Sequence, residues 1–343
     1  MRRPRTRLRP VLAGVLATAL LLAGGLPAGA APTSTTRAVS ACAPVFTLAF
    51  SASLARDFPG QRVTASVYDT RTGCWYALNP KVRITTASVI KAAVMGAVLL
   101  RAQDKGRGLT SWERARIAPM ITYSYNNPQV SDLLGRVGGV RGMDRFDRRM
   151  GATHTTNSLA YGATWTTATD RTRIALGLLH GGPLRARGRA EAWRAMTRVT
   201  PTQRWGITAG VPAGWQVALK NGFYPMRGYG WRVGSTGFVR RAGMPDGYAV
   251  TILTDHGASQ VAGMRLVERV SRRVATSLTD GRAAPRVVDR SRCVTTRSGQ
   301  TWRQVAGKVG LPASRWADVR RVSGGNPSPL SGQWACSPVL RPA

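Results

Sequence analysis

Ser88-Val89-Ile90-Lys91 sets a hydroxyl and an amine three residues apart at the head of an apolar run, 92–100. Side chains at i and i+3 share one face of a helix, so the two groups can meet without help from a distant loop. A serine hydroxyl is a weak nucleophile near neutral pH and needs a base beside it. Lysine fills that role when burial and neighbouring positive charge lower its pKa. Two more polar triplets follow in order, Ser124-Tyr125-Asn126 and Lys220-Asn221-Gly222. Lys220 supplies the neighbouring charge and a cation for an anionic substrate group. Ser124 can relay a proton between nucleophile and leaving group, and Asn126 offers an amide to a substrate carbonyl. Gly222 lets a substrate approach a strand edge, where the backbone amides of Ser88 and Phe223 can form an oxyanion hole. The expected catalytic set is therefore Ser88, Lys91, Ser124 and Lys220, with Asn126, Asn221, Gly222 and Phe223 binding substrate. A Ser-His-Asp arrangement is disfavoured, since no Gly-x-Ser-x-Gly elbow occurs and His154, His180 and His256 have no evident nucleophile to serve.

These groups need a scaffold, and the hydropathy pattern predicts one. Residues 43–56 carry apolar positions at helical spacing. Residues 62–68 alternate as a strand should, and a turn at 70–73 leads to a second strand over 74–78. A mainly helical block spans about 88–195, broken at Gly106, Gly108, Pro128, Gly138-Gly139 and Gly181-Gly182-Pro183. Strands return at 217–220, 231–239 and 248–254, and a helix at 260–278 closes the unit. The expected class is α/β (α+β): a five-stranded, mainly antiparallel sheet flanked by terminal helices, with the helical block inserted at its side.

The chain has 343 residues and opens with a basic start, an apolar stretch over 11–22 and the small triplet Ala28-Gly29-Ala30. That is the pattern of a secretory signal peptide, expected over 1–30 and followed by a loose leader at 31–41. About 310 residues then remain, enough for one large domain and one small one. The net charge of +35 falls to +30 once the five arginines of the signal segment are discounted. In an exported protein such charge suits anionic wall polymers or lipid surfaces better than nucleic acid, unless it reflects composition alone. Cys42, Cys74, Cys293 and Cys336 are an even set, which in an exported chain points to disulfides. Pairing Cys42 with Cys74 and Cys293 with Cys336 keeps each bridge inside one expected domain. Scattered cysteines and three histidines argue against a metal site, and no cofactor is expected.

The three triplets together resemble the motifs of the serine β-lactamase and penicillin-binding protein superfamily, nearest to class A β-lactamases. The segments 67–73, 120–126 and 166–170 are similar to the family's first hairpin, the approach to its second motif and the start of the helix after its omega loop. The resemblance covers about residues 43–278. It implies an acylated Ser88, a general base at Lys91, a second motif at Ser124 and Asn126, and a third at Lys220 and Gly222. Three departures accompany it. Tyr125 stands where the lactamases usually have Asp, and Asn221 where they have Thr or Ser. Residues 148–169 contain no Asp or Glu, whereas the class A omega loop carries the glutamate that activates the deacylating water. The resemblance implies a secreted serine hydrolase, expected to be a monomer, acting on β-lactams or related amides and esters with weak or altered deacylation. Two other readings stay open: a penicillin-binding protein processing peptidoglycan-like peptides, or a non-catalytic wall-binding protein that kept the motifs.

Residues 280–292 are rich in Gly, Ala, Pro and Arg and read as a linker after a domain at 42–279. Residues 293–338 then resemble a LysM module, a small β-α-α-β unit that binds N-acetylglucosamine-containing glycans. Ser298-Gly299-Gln300-Thr301-Trp302 and Leu330-Ser331-Gly332-Gln333 carry that likeness, with helices expected at 304–309 and 314–322. It implies a wall glycan as a further partner, which tethering would enrich locally.

Overall fold

The computed structural model describes residues 44–71, 73–279, 288–297, 299–322, 328–329 and 334–338. The expected signal peptide, the leader and Cys42 lie outside them. The chain enters through α1 (Leu48–Asp57), where the Thr47 hydroxyl accepts from Phe50 N at 3.2 Å and so satisfies one free amide of the first turn. The alternating segments become β1 (Arg62–Asp69) and β2 (Cys74–Leu78), an antiparallel hairpin. Cys74 is held in a disulfide, and its expected partner Cys42 is outside the described residues.

Next come β3 (Arg83–Thr85) and the helices α2 (Ile90–Asp104), α3 (Ser111–Thr122), α4 (Gln129–Val137) and α5 (Gly139–Arg149). β4 (Trp165–Thr167) leads into α6 (Ala168–Leu179), and α7 (Ala186–Thr197) follows. β5 (Trp215–Met226), β6 (Gly230–Arg241) and β7 (Gly247–Gly257) complete the main sheet before α8 (Gln260–Leu278). The sheet has five strands in the order β2-β1-β7-β6-β5, every pair antiparallel. Alternate side chains of β6 address opposite faces. Gly263 of α8 sits against Val233, while Thr236 lies by Arg171, Ile174 and Ala175 of α6. The sheet is thus packed between helices on both faces.

The sequence pattern does not indicate β3 and β4. They are three residues each and pair antiparallel, tying the start of the α2 approach to the segment before α6. Strands so short carry no periodicity to read. α2 is apolar on all sides, and Ile90 through Leu100 are buried, as expected of a helix in the middle of a core. Gly96 allows its neighbours in: a β-carbon there would lie 2.5 Å from a Leu178 methyl and 2.7 Å from the Phe146 ring.

α3 delivers the chain to Ser124, and its start is firmly closed. Thr110 and Glu113 form a reciprocal capping box, and Glu113 accepts a two-pronged pair from Arg107 at 2.7 and 2.8 Å. The Arg107 guanidinium holds the buried Glu113 carboxyl at about 2, well below its usual value. A carboxyl depressed on folding contributes stability that is complete above its unfolded pKa and lost as pH falls through its folded one. Glu113→Gln should therefore cost about 1–3 kcal/mol near neutral pH. Its stability should also fall less steeply than the wild type's between pH 5 and 2. Denaturant unfolding across that range tests both; parallel pH curves for the two proteins would contradict the assignment.

The last unit contains β8 (Val288–Thr295), α9 (Trp302–Lys308), α10 (Trp316–Val322) and β9 (Trp334–Pro338). It has its own core, built on Trp302, Val305, Ala306, Val309, Leu311, Val319 and Ala335. β8 and β9 pair antiparallel with Cys293 opposite Cys336. β8 begins at Val288, inside the span read as linker. α9 begins before residue 304 because Thr301 and Gln304 close another capping box. Among the described residues, no helix is long and apolar enough to cross a membrane, and no group of three or more His, Cys, Asp and Glu could hold a metal.

Candidate active site

Ser88 sits in the 3-10 turn Ala87–Val89, which runs directly into α2. Ala87 has φ +45°, a conformation that costs a residue with a β-carbon on the order of 1–3 kcal/mol. The turn is pressed against β5. A β-carbon on Gly222 would lie 2.6 Å from Ser88 N and 2.5 Å from Val89 N. Only glycine lets the strand come this close. The Ser88 amide is thereby brought to the stretch of β5 that carries Phe223, whose amide is the other expected oxyanion donor.

Both lysines are fully buried. Lys91 Nζ lies 2.7 Å from Ser124 O, 2.7 Å from Asn126 Oδ1 and 3.3 Å from Ser124 Oγ. Lys220 Nζ donates to Asn221 O at 2.6 Å and to Ser124 Oγ at 3.0 Å. Ser124 itself has φ +64°, which turns its carbonyl and its hydroxyl toward the amines. Burial, with Lys220 close by, pushes Lys91 well below the ordinary lysine range. Burial also lowers Lys220 to about 7. A neutral Lys91 has two protons for the two carbonyl oxygens and a lone pair for a hydroxyl. The Ser124 hydroxyl thus stands between two amines whose hold on a proton is weakened by burial.

In one respect the geometry differs from the sequence expectation. Among the described residues no hydrogen bond joins Ser88 Oγ to Lys91. Residues 124–126 hold the amine instead, and the shared helix face is not enough to bring the pair together. Catalytic hydrogen bonds are often long before substrate binds.

Ser88, Ser124, Asn126 and Phe223 line one cleft of about 600 Å³. Asn126 is exposed there; its Oδ1 is engaged with Lys91 and Tyr161, leaving its NH2 to face a ligand. Asn221 departs from its expected role. Its side chain is buried and donates to Gln203 O at 2.6 Å and Trp205 O at 3.2 Å, so it braces β5 rather than meeting substrate.

Among the described residues, no Asp or Glu lines this cleft. The segment corresponding to the omega loop contributes Leu159, Ala160, Tyr161, Gly162 and Ala163 instead. The carboxylates nearest in sequence are committed elsewhere: Asp170 accepts from His154 N and Thr155 Oγ1, and Asp147 pairs with the buried Arg171. Two cleft residues are not evident in the sequence. Tyr161 donates to Asn126 Oδ1 at 3.3 Å. Arg232, opposite Tyr224 in the β5–β6 register, is 1% exposed, and none of its three side-chain nitrogens has a hydrogen-bond partner. Its guanidinium lies 4.9 Å from the Tyr229 ring centre. An unpaired buried guanidinium at a cleft wall is a ready partner for a carboxylate. In sequence nothing distinguishes it from the chain's many other arginines.

The charge on Lys220 has a measurable consequence. Burial lowers Lys220 to about 7, so raising pH through that value should remove a cation from behind the cleft. Acylation by a carboxylate-bearing substrate should then decline above pH 7, and more steeply than acylation by its methyl ester. Equal alkaline limbs for acid and ester would remove Lys220 from anion recognition.

Residues 114–278 match the model of a family described as the β-lactamase enzyme family. No curated protein matches the chain. Similar solved structures include a β-lactamase from Streptosporangium roseum, at 21% identity and TM-score 0.57, spanning 66% of this chain and 96% of that one. A class A β-lactamase from Mycobacterium abscessus is 22% identical with TM-score 0.56, over 66% and 96% of the two chains. The structure of PBP-A is 18% identical with TM-score 0.57, over 66% and 94%. At such identities the likeness is one of fold. The expected fold holds: the main domain has the β-lactamase fold.

Proposed function

We propose that this protein is a β-lactamase-like serine enzyme that forms an acyl-enzyme on Ser88 with β-lactams or related amides and esters, and that releases the acyl group slowly. The observation that carries the reading is the amine–hydroxyl–amine cluster of Lys91, Ser124 and Lys220 behind a cleft-lining serine. Ser88 Oγ bonds to the substrate carbonyl carbon as its proton passes to this cluster, with the Lys91 amine as base. The amides of Ser88 and Phe223 hold the resulting oxyanion. Collapse breaks the carbon–nitrogen bond, the departing nitrogen takes the proton back through Ser124, and an ester remains on Ser88. Arg232 and Lys220 supply positive charge for a substrate carboxylate. Hydrolysis of the ester needs an activated water, and the described lining of the cleft offers no acidic residue to activate one.

That last feature favours a second reading within the same chemistry, a penicillin-binding protein that stays acylated or passes its acyl group to an amine. Intact-mass spectra taken over time after mixing with a fluorescent penicillin test the acylation that both readings share. A mass increase of one penicillin that persists for hours supports slow release. A transient adduct with ring-opened product marks an efficient lactamase. No adduct with any β-lactam or peptide ester would sink the acylation reading and leave a binding protein. We place the protein outside the cytoplasm on the strength of its N-terminal segment, and close to anionic wall polymers on its charge.

A further inference from the structure

We infer that the C-terminal β-α-α-β module is a positioning element of the acylation site, seated on Tyr125 of the segment that holds Lys91 and on the turn that braces the Lys220 segment. Its catalytic consequence rests on the proposed function; its structural content does not. The two motif positions at which the chain departs from the lactamase pattern are Tyr125 and Asn221. Each is engaged with the module or with the turn on which the module rests.

The first link is direct. Arg320 of α10 lies over the Tyr125 ring, 6.0 Å from its centre. Tyr125 is also packed on Tyr123, with ring centres 5.4 Å apart. It stands between Ser124 and Asn126, whose oxygens hold the Lys91 amine at 2.7 Å each. A shift of this peptide segment moves both oxygens that hold the Lys91 amine in place. Small misplacements of such a kind can cost a catalytic site on the order of 10²-fold.

The second link runs through the 3-10 turn Pro201–Gln203. α10 and β9 both pack on this turn. The Gln203 carbonyl accepts from Asn221 Nδ2 at 2.6 Å, and Asn221 lies between Lys220 and Gly222. Immediately before the turn, Thr200 N donates to Thr122 O at 3.1 Å, at the end of α3 and two residues ahead of Ser124. The turn thus contacts the module on one side and Asn221 on the other, and the residue before it is tied to the end of α3. Asparagine at 221 makes this brace because its amide reaches two carbonyls at once, those of Gln203 and Trp205. The hydroxyl of a Thr or Ser has a single proton to donate. The module has a core separate from that of the main domain.

The test uses the full chain with Arg320→Ala, Arg320→Lys, Tyr125→Ala and the Arg320→Ala/Tyr125→Ala double variant. Arg320→Ala should slow acylation by fluorescent penicillin three- to tenfold and displace the midpoint of its pH profile. Arg320→Lys, which keeps a cation over the ring, should stay within twofold of wild type. The double variant should be no slower than the worse single one. Hydrogen–deuterium exchange reads the coupling without activity: Arg320→Ala should speed exchange at 122–126, 200–205 and 219–223 and leave the β1–β7 amides protected. Wild-type exchange in those three segments would overturn the inference. A wild-type protein that takes up no acyl group would instead remove the proposed chemistry, and the exchange result would still decide the coupling.

Discussion

Ser88→Ala should fold normally and form no covalent adduct with any β-lactam. The first half follows from where the side chain sits. Ser88 is half-buried in the Ala87–Val89 turn, and among the described residues its hydroxyl makes no hydrogen bond, so removing it strands no buried partner. The change in unfolding free energy should stay within about 1 kcal/mol. The second half follows from chemistry. The cleft is lined by Ser88, Ser124 and Ser131, but only Ser88 lies at the turn against which Gly222 brings β5 and the expected oxyanion amides. Ser124 Oγ is held between two amines and is placed to pass protons. Loss of a nucleophile from a catalytic unit costs on the order of 10⁶ in rate. Intact mass after prolonged incubation is the measurement. An adduct of one penicillin on the variant, mapped to any other residue, would remove Ser88 from the mechanism.

Much of this architecture is legible in the amino-acid sequence alone. The alternation at 62–68, the turn at 70–73 and the strand at 74–78 specify a hairpin locally, since turn and period agree. The same holds for the strands around Val233 and Val250 and for α8. The motif order assigns Ser88, Lys91, Ser124 and Lys220 to one site because residue type and spacing together constrain the chemistry. What escapes the sequence is what depends on tertiary placement. Arg232 enters the cleft only through the β5–β6 register, which sets it opposite Tyr224 and two residues from Gly234, the partner of Gly222. Tyr161 reaches Asn126 because β3 and β4 pin its segment to the Ser88 turn. Asn221 turns away from substrate because two carbonyls at 203 and 205 lie within its reach. None of these partners is near in sequence, and none is announced by composition.

The acid-free lining of the cleft also has a thermodynamic side. Two buried amines within reach of one hydroxyl, with no carboxylate among the described lining residues, are stable only if at least one is unprotonated. The depressed lysines are therefore a property of the whole buried site rather than of either residue alone. A folded pKa below the unfolded value means that the unfolded chain binds more protons between the two. Stability therefore rises with pH across that window, from about 7 toward 10.5 for Lys220.

Lys91→Ala brings these threads together and should slow acylation by about 10²- to 10⁴-fold, the usual contribution of a positioned base. The truncation leaves Ser124 O and Asn126 Oδ1 without the donor they share at 2.7 Å, so some local loosening is expected. Lys91→Met separates the two effects, because it fills the space of the lysine stem and removes only the amine. If Lys91 is the base, both variants should be slowed to a similar degree, and small primary amines should partly restore the alanine variant but not the methionine one. The acid limb of the acylation pH profile should disappear in both, since it reports protonation of the amine that Ser88 must find free. If packing alone mattered, Lys91→Met would acylate near the wild-type rate with its acid limb intact, and the proton would have to leave Ser88 by way of Lys220 and Ser124 instead.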